Sequence, residues 1–155
     1  MDEFIINELT KFSPYFSPEI LKTKEKSDAE NDSQLPEDFL EKRKKGENDD
    51  EVCELIRNDM VDDFISHVSK FENLDDYLNR TVSTSNYETH RFLNKHKDTT
   101  LIEYSAFFGS IRIFKYLLLQ KVKLRPILWL HAIHGQNAEI IHLLEENNVE
   151  PSDKT

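Results

Sequence analysis

Leu101-Ile102-Glu103-Tyr104-Ser105-Ala106-Phe107-Phe108-Gly109-Ser110-Ile111-Arg112-Ile113-Phe114-Lys115-Tyr116-Leu117 returns 27 residues further on as Leu128-Trp129-Leu130-His131-Ala132-Ile133-His134-Gly135-Gln136-Asn137-Ala138-Glu139-Ile140-Ile141-His142-Leu143-Leu144. Apolar positions coincide: Leu101/Leu128, Ile102/Trp129 and Ala106/Ile133 at helical spacing in the first half, Ile113/Ile140, Phe114/Ile141 and Leu117/Leu144 in the second. The small pair Ser105/Ala132 lies where helices must approach closely, and Val122/Val149 closes each copy. Ser110 and Asn137 suit the N-caps of the two second helices, and Pro126 suits the first turn of the following copy. Each copy therefore reads helix, sharp turn, helix. A helix pair of this size has one apolar side that it cannot bury alone, so neighbouring pairs must stack.

Upstream the pattern persists in weaker form. Val52, Leu55 and Ile56, then Met60, Val61, Phe64, Ile65 and Val68, place apolar side chains three and four apart on two stretches separated by Asn58-Asp59, expected to be a tight turn and N-cap. This is a further antiparallel helix pair, with Cys53 in its first helix. Residues 71–98 are polar, with one turn expected around Leu74, Tyr77 and Leu78 and another around Tyr87, Phe92 and Leu93. Near the start, Phe4, Ile5, Leu9 and Phe12 predict a helix ended by Ser13-Pro14, and Ser17-Pro18 opens a second one through Leu21. Residues 22–35 offer almost nothing to bury and read as a flexible linker. Pro36 opens a segment that closes with Lys42-Arg43-Lys44-Lys45 before Gly46. The expected organisation is an N-terminal segment of helices and acidic linker over 1–45, a helix pair with an irregular cap over 46–98, and two repeats over 99–155.

Composition supports an all-α chain, since 3 Gly and 5 Pro in 155 residues are too few for the turns of a sandwich or barrel. The net charge of -10 is uneven: residues 1–50 carry 14 acids and 8 bases, 51–98 carry 10 and 6, and 99–155 carry 6 of each. Such a field disfavours phosphate backbones and anionic lipid, so neither nucleic acid nor membrane is an expected partner. Cys53 is the single cysteine, which excludes an intrachain disulfide and suits a reducing compartment. The acidic start Met1-Asp2-Glu3 and the lack of a long apolar run lead to an expectation of an intracellular, cytoplasmic protein. A third copy of the repeat would begin at Thr155. The chain is accordingly expected to continue, or to have that end covered by another chain, self-association included.

Thr100 through Leu119 resembles the ankyrin repeat, with its Thr-Pro-Leu-His-x-Ala-Ala-x-x-Gly-His reading and an aliphatic second helix ending in Leu-Leu. Leu101 and Glu103 stand where that family has Pro and His, and the spacing is shorter than the ankyrin ~33 residues. Little chain is left between Gln120 and Arg125 for a protruding finger. A wider likeness takes in Lys45-Gly46-Glu47-Asn48-Asp49, Cys53 through Asp59, Leu128 through His134 and His142 through Asn147. Together these are similar to the expanded ankyrin-like proteins of parasitic protists, which carry an uncharacterised N-terminal domain. The resemblance implies a short helix-turn-helix solenoid preceded by an irregular helical segment. It also implies a non-catalytic scaffold for protein contacts; separately, the glycine count and the histidine spacing lead to an expectation of no cofactor and no metal.

Candidate partner-contact residues are Glu103, Phe107, Phe108 and His134. The two phenylalanines align with ankyrin positions that face the concave groove; the alternative is that they pack against the preceding segment as core. A different class of function stays open alongside: a metal site at His131, His134 and His142, or thiol chemistry at Cys53 with His67 as base. With Gly46, Gly109 and Gly135 as the only glycines, no phosphate-cradling loop can be built. Lys42-Arg43-Lys44-Lys45 reads as a solvated helix end, or as a nuclear-import signal of a regulatory adaptor. Arg112, Lys115, Lys121, Lys123 and Arg125 form a second basic set, suited either to intramolecular acids or to a partner.

Overall fold

In the computed structural model, which describes residues 37–151, every regular element is an α-helix, and no strand occurs among the described residues. An isolated antiparallel bridge joins Thr81 to Thr100. The helices expected over 1–21 and the linker over 22–35 lie outside the described residues. The chain divides into two compact units, residues 37–49 with 84–91 and residues 50–83 with 92–151. No described helix is long and apolar enough to cross a membrane.

The smaller unit holds α1 (Phe39–Lys45). Gly46 ends it at φ 68°, with its N–H donating to the Lys42 carbonyl, a left-handed cap that a side chain would strain. The basic run occupies the last turn, where positive charge meets unpaired carbonyls. Lys42 lies 2.8 Å from Asp38 and 3.3 Å from Asp49, and hydrogen bonds to these two carboxylates raise its ammonium pKa. Phe39 meets Tyr87 edge-on at 5.7 Å, and the Thr89 hydroxyl donates to the Gly46 carbonyl at 2.8 Å.

The larger unit contains α2 (Glu51–Arg57), α3 (Val61–Val68), α4 (Leu74–Leu78), α5 (Arg91–Lys95) from Phe92 onward, α6 (Leu101–Phe107), α7 (Ile111–Leu119), α8 (Leu128–Gly135) and α9 (Ala138–Glu146). Three helix pairs recur: α2 with α3, α6 with α7, α8 with α9. First helices lie against first helices, α2 on α6 and α6 on α8, and second against second, α3 on α7 and α7 on α9. The core follows from this arrangement. Val52, Ile56, Phe64, Leu101, Ile113, Phe114, Leu117, Leu128, Ile140 and Leu144 are all fully buried, the positions that the apolar spacing selects.

The three pairs share a left-handed residue at the turn, and the first two share its hydrogen bonds as well. Asp59, Gly109 and Gln136 each sit between first and second helix at φ 50°, 68° and 51°. Asp59 N–H donates to Ile56 O and Met60 N–H to Leu55 O, as Gly109 N–H does to Ala106 O and Ser110 N–H to Ser105 O. The second helices of the two sequence repeats also end alike, with Lys121 at φ 58° and Asn148 at φ 52°. Val122 N–H then bonds Leu117 O, and Val149 N–H bonds Leu144 O. Close approach between pairs is set by Gly135, where a Cβ would come within 2.0 Å of the Ala106 carbonyl oxygen.

Capping departs from the expectation at two positions and meets it at a third. Asn137 caps α9 as its position predicts, accepting from the N–H groups of Glu139 and Ile140. Ser110, expected to cap α7, instead donates its hydroxyl to the Ile56 carbonyl at 2.5 Å. The freed N–H groups of Arg112 and Ile113 go to the Asp59 carboxylate at 3.0 and 2.9 Å. Asp59 thus caps the second helix of the following pair, whereas α3 starts at Met60 with no side-chain cap. Pro126 lies ahead of α8, in a turn closed by Leu128 N–H on Arg125 O, rather than in its first helical turn.

Candidate functional site

The aromatic and histidine side chains of α5, α6 and α8 converge. Phe92 and His96 stand four apart on one side of α5 and its end, so both rings point the same way. Phe92 stacks on Phe107 with centroids 5.5 Å apart and planes 12° apart. It lies 4.3 Å from His134, 4.9 Å from His131 and 4.5 Å from His96. Phe107 in turn meets His134 at 5.3 Å and Phe108 at 5.0 Å, and Phe108 meets Tyr104 at 4.8 Å. The result is a ledge of rings with its floor in the core and its lip in solvent: Phe107 is buried, Phe92 and Phe108 are half-buried, and His134 is exposed.

Two of the four candidate contact residues are therefore placed differently from expectation. Glu103 is fully buried: its carboxylate takes the Thr100 N–H at 2.9 Å and the Arg125 guanidinium at 2.7 and 2.6 Å. A partner cannot reach it, because at this position a negative charge closes a capping interaction and neutralises an arginine of the following link. Phe107, 7% exposed, follows the core alternative, its face covered by Phe92. Phe108 and His134 remain accessible.

The candidate ligand histidines differ in setting. His131 is fully buried, with Nδ1 3.1 Å from the Ile127 carbonyl and Nε2 3.3 Å from the Thr99 hydroxyl, which itself donates to the His96 carbonyl. Since a carbonyl only accepts, the Nδ1 of His131 carries a proton. Burial pushes the His131 pKa below its usual value, partly offset by the Ile127 hydrogen bond and by the Glu103 charge. His142 stands on α9, 3.1 Å from Glu146 and 3.6 Å from Glu145. His131, His134 and His142 are not brought together, and no group of three or more ligating side chains is gathered among the described residues.

Cys53 is fully buried, and desolvation, with the Asp50 charge adding to it, pushes its thiol pKa up to about 12. A thiol held protonated at neutral pH is not an activated nucleophile. His67 does not serve it: Nε2 of His67 bonds the Tyr77 hydroxyl at 3.0 Å and Nδ1 lies 3.4 Å from Glu51. Of the second basic set, Arg112 pairs with Asp62, Lys115 with Glu139, and Arg125 with Asp98 and Glu103, all within this unit. The intramolecular alternative holds for those three.

The turn expected around Phe92 and Leu93 forms as α5, and it is this preceding segment that covers Phe107; residues 71–98, which lack a sustained period, do not by themselves place Phe92 and His96 in the ledge. The available signal was Phe92 and His96 at a helical spacing of four. The chain matches no protein-family model, no curated protein and no solved structure.

Proposed function

We propose that this chain is a non-catalytic protein-binding module, an ankyrin-like stack of helix pairs that presents the lip of the aromatic ledge, Phe108 and His134, to a partner protein. The observation that carries the reading is the recurrence of a left-handed residue between first and second helix, at Asp59, Gly109 and Gln136, with first helices against first and second against second. Stacks of that kind are quasi-one-dimensional and offer extended surfaces rather than enclosed reaction chambers. A half-buried ring beside an exposed imidazole, backed by a packed aromatic floor, suits the rigid anchors on which interfaces depend. Binding is favoured over the alternative enzyme by the protonated Cys53 thiol and by the separation of His142 from His131 and His134 among the described residues. One free cysteine is compatible with a reducing, intracellular compartment.

The test is capture from an extract of the source cells with the wild-type chain, a Phe108→Ala/His134→Ala variant and a Lys121→Ala control, each shown to be folded by circular dichroism. A protein recovered by wild type and control and lost by the double variant supports the reading. Equal recovery by all three removes the ledge from the contact surface, and failure to recover any protein reproducibly argues against a binding module.

A further inference from the structure

Leu130 and Ile133, 42% and 58% exposed, are anomalous for α8, because one repeat earlier the equivalent positions are completely covered. The 27-residue offset relates Leu130 to Glu103 and Ile133 to Ala106, both 0% exposed. Their cover is the next helix pair: Gly135 of α8 sits directly on the Ala106 carbonyl, and Arg125, in the link that leads to α8, closes over Glu103. The Leu130/Ile133 side of α8 thus holds the place, in its own pair, of a surface that accepts a helix.

Charge on the neighbouring α9 indicates what kind of helix. By the same offset His142 of α9 is the equivalent of Lys115, and Lys115 reaches across to Glu139 of the following pair. Where that cation would be repeated, α9 instead has His142 flanked by Glu145 and Glu146, all three side chains more than half exposed. Glu150 follows, and residues 126–151 contain neither lysine nor arginine. An apolar strip on α8, with carboxylates on the helix packed against it, calls for an apolar strip accompanied by cations.

We propose that the Leu130/Ile133 face of α8, with Glu145 and Glu146 on the neighbouring α9, is a docking site for a basic amphipathic helix of a partner protein. Apolar side chains of the incoming helix, spaced three and four apart, cover Leu130 and Ile133, and its lysines or arginines face the two glutamates. A second copy in two-fold contact through this face is the poorer occupant, since it would bring the acidic α9 helices of both copies to one interface. The proposal rests on the reading of the chain as stacked equivalent units; its face adjoins the aromatic ledge at His134, four residues after Leu130, and is distinguished from it by Phe108 at the end of α6.

The experiment is fluorescence anisotropy with the whole 155-residue chain and three labelled peptides of about 15 residues: a Leu/Lys amphipathic helix, its Leu/Glu counterpart, and a scrambled Leu/Lys sequence of the same charge. The amphipathic Leu/Lys helix is expected to bind at least about tenfold more tightly than either control, a difference of about 1.4 kcal/mol. Ile133→Asp adds negative charge, so pure electrostatic attraction would strengthen binding; at least about tenfold weakening is expected instead, from the lost apolar contact. Glu145→Gln/Glu146→Gln is expected to weaken binding and flatten its salt dependence. Ile133 is exposed, so these variants keep the fold, which a thermal melt checks.

Equal affinity for the scrambled peptide, or indifference to Ile133→Asp, overturns the proposal. So does a dimer in sedimentation equilibrium that Ile133→Asp dissociates, which would make a second copy the occupant. Phe108→Ala is expected to leave peptide affinity unchanged. Loss of extract capture in the ledge variant with no peptide binding would therefore sink this inference and leave the ledge reading standing, and the converse result would do the opposite.

Discussion

Glu103 and Arg125 are locked together across the α6–α8 junction: a carboxylate with no solvent exposure receives two guanidinium hydrogen bonds, at 2.7 and 2.6 Å, from a side chain 22 positions later. The same guanidinium binds the Asp98 carboxylate and carbonyl, so one residue ties the link before α8 to the start of α6. Hydrogen bonds to Glu103, then to Asp98, hold the Arg125 pKa above its ordinary value and the Asp98 pKa below its own. Removing the cation strands a buried charge. Arg125→Met is expected to destabilise the chain by about 3–5 kcal/mol, the usual cost of breaking a buried pair from one side. The double variant Arg125→Met/Glu103→Leu should recover much of the loss. Urea unfolding of the three proteins decides it, and equal stability of single and double variants would contradict the pairing.

Asp59 links successive pairs by capping α7 from the turn of the pair before it. Asp59→Ala removes both acceptors and is expected to cost about 1–2 kcal/mol. Asp59→Asn keeps an acceptor and tolerates φ 50° and is expected to cost less than half as much. Because the cap bridges two pairs, amide hydrogen exchange at Arg112 and Ile113 should accelerate in Asp59→Ala before that of α9. Exchange rising first in α3 would mean that Asp59 caps its own helix.

His131 makes stability pH-dependent in a definite direction. Its folded-state pKa is lowered by burial, so on acidification the unfolded chain takes up a proton near the usual histidine value of about 6.5 while the folded chain resists. The contribution is fully present above about pH 6.5 and is lost as pH falls from there toward the folded pKa, at up to about 1.4 kcal/mol per pH unit. His96 and Arg125 oppose protonation, and Glu103 favours it, from the segments packed around the ring. Urea midpoints from pH 7.5 to 5.0 should fall for wild type and fall less steeply for His131→Gln. Identical slopes would assign the effect to other groups.

Cys53, with its pKa at about 12 and no solvent contact, is expected to be inert toward a disulfide reagent at pH 8 in the folded chain and to react fully in urea. The native-state rate should follow transient opening of α2, so it rises in destabilised variants such as Asp59→Ala. Rapid stoichiometric reaction of the native wild type would reopen the thiol alternative.

The helical class was legible in neighbouring residues, because side chains spaced three and four apart share a buried side on helices, and Gly and Pro are too scarce for a strand-rich fold. So were the helix pairs, since period and capping residues act over a few neighbouring positions. Tertiary structure alone decided which residues serve the contacts between pairs. Glu103 became core through Arg125, Ser110 gave its hydroxyl to Ile56, and Asp59 left its own helix uncapped to serve the next one. Phe107 was covered by Phe92 from a segment without periodicity, and Leu130 and Ile133 stayed exposed although their repeat equivalents are buried. The physical reason is range: backbone preference and helical period are local and written in neighbouring residues, whereas burial and hydrogen-bond partnership depend on what distant chain is laid against a surface.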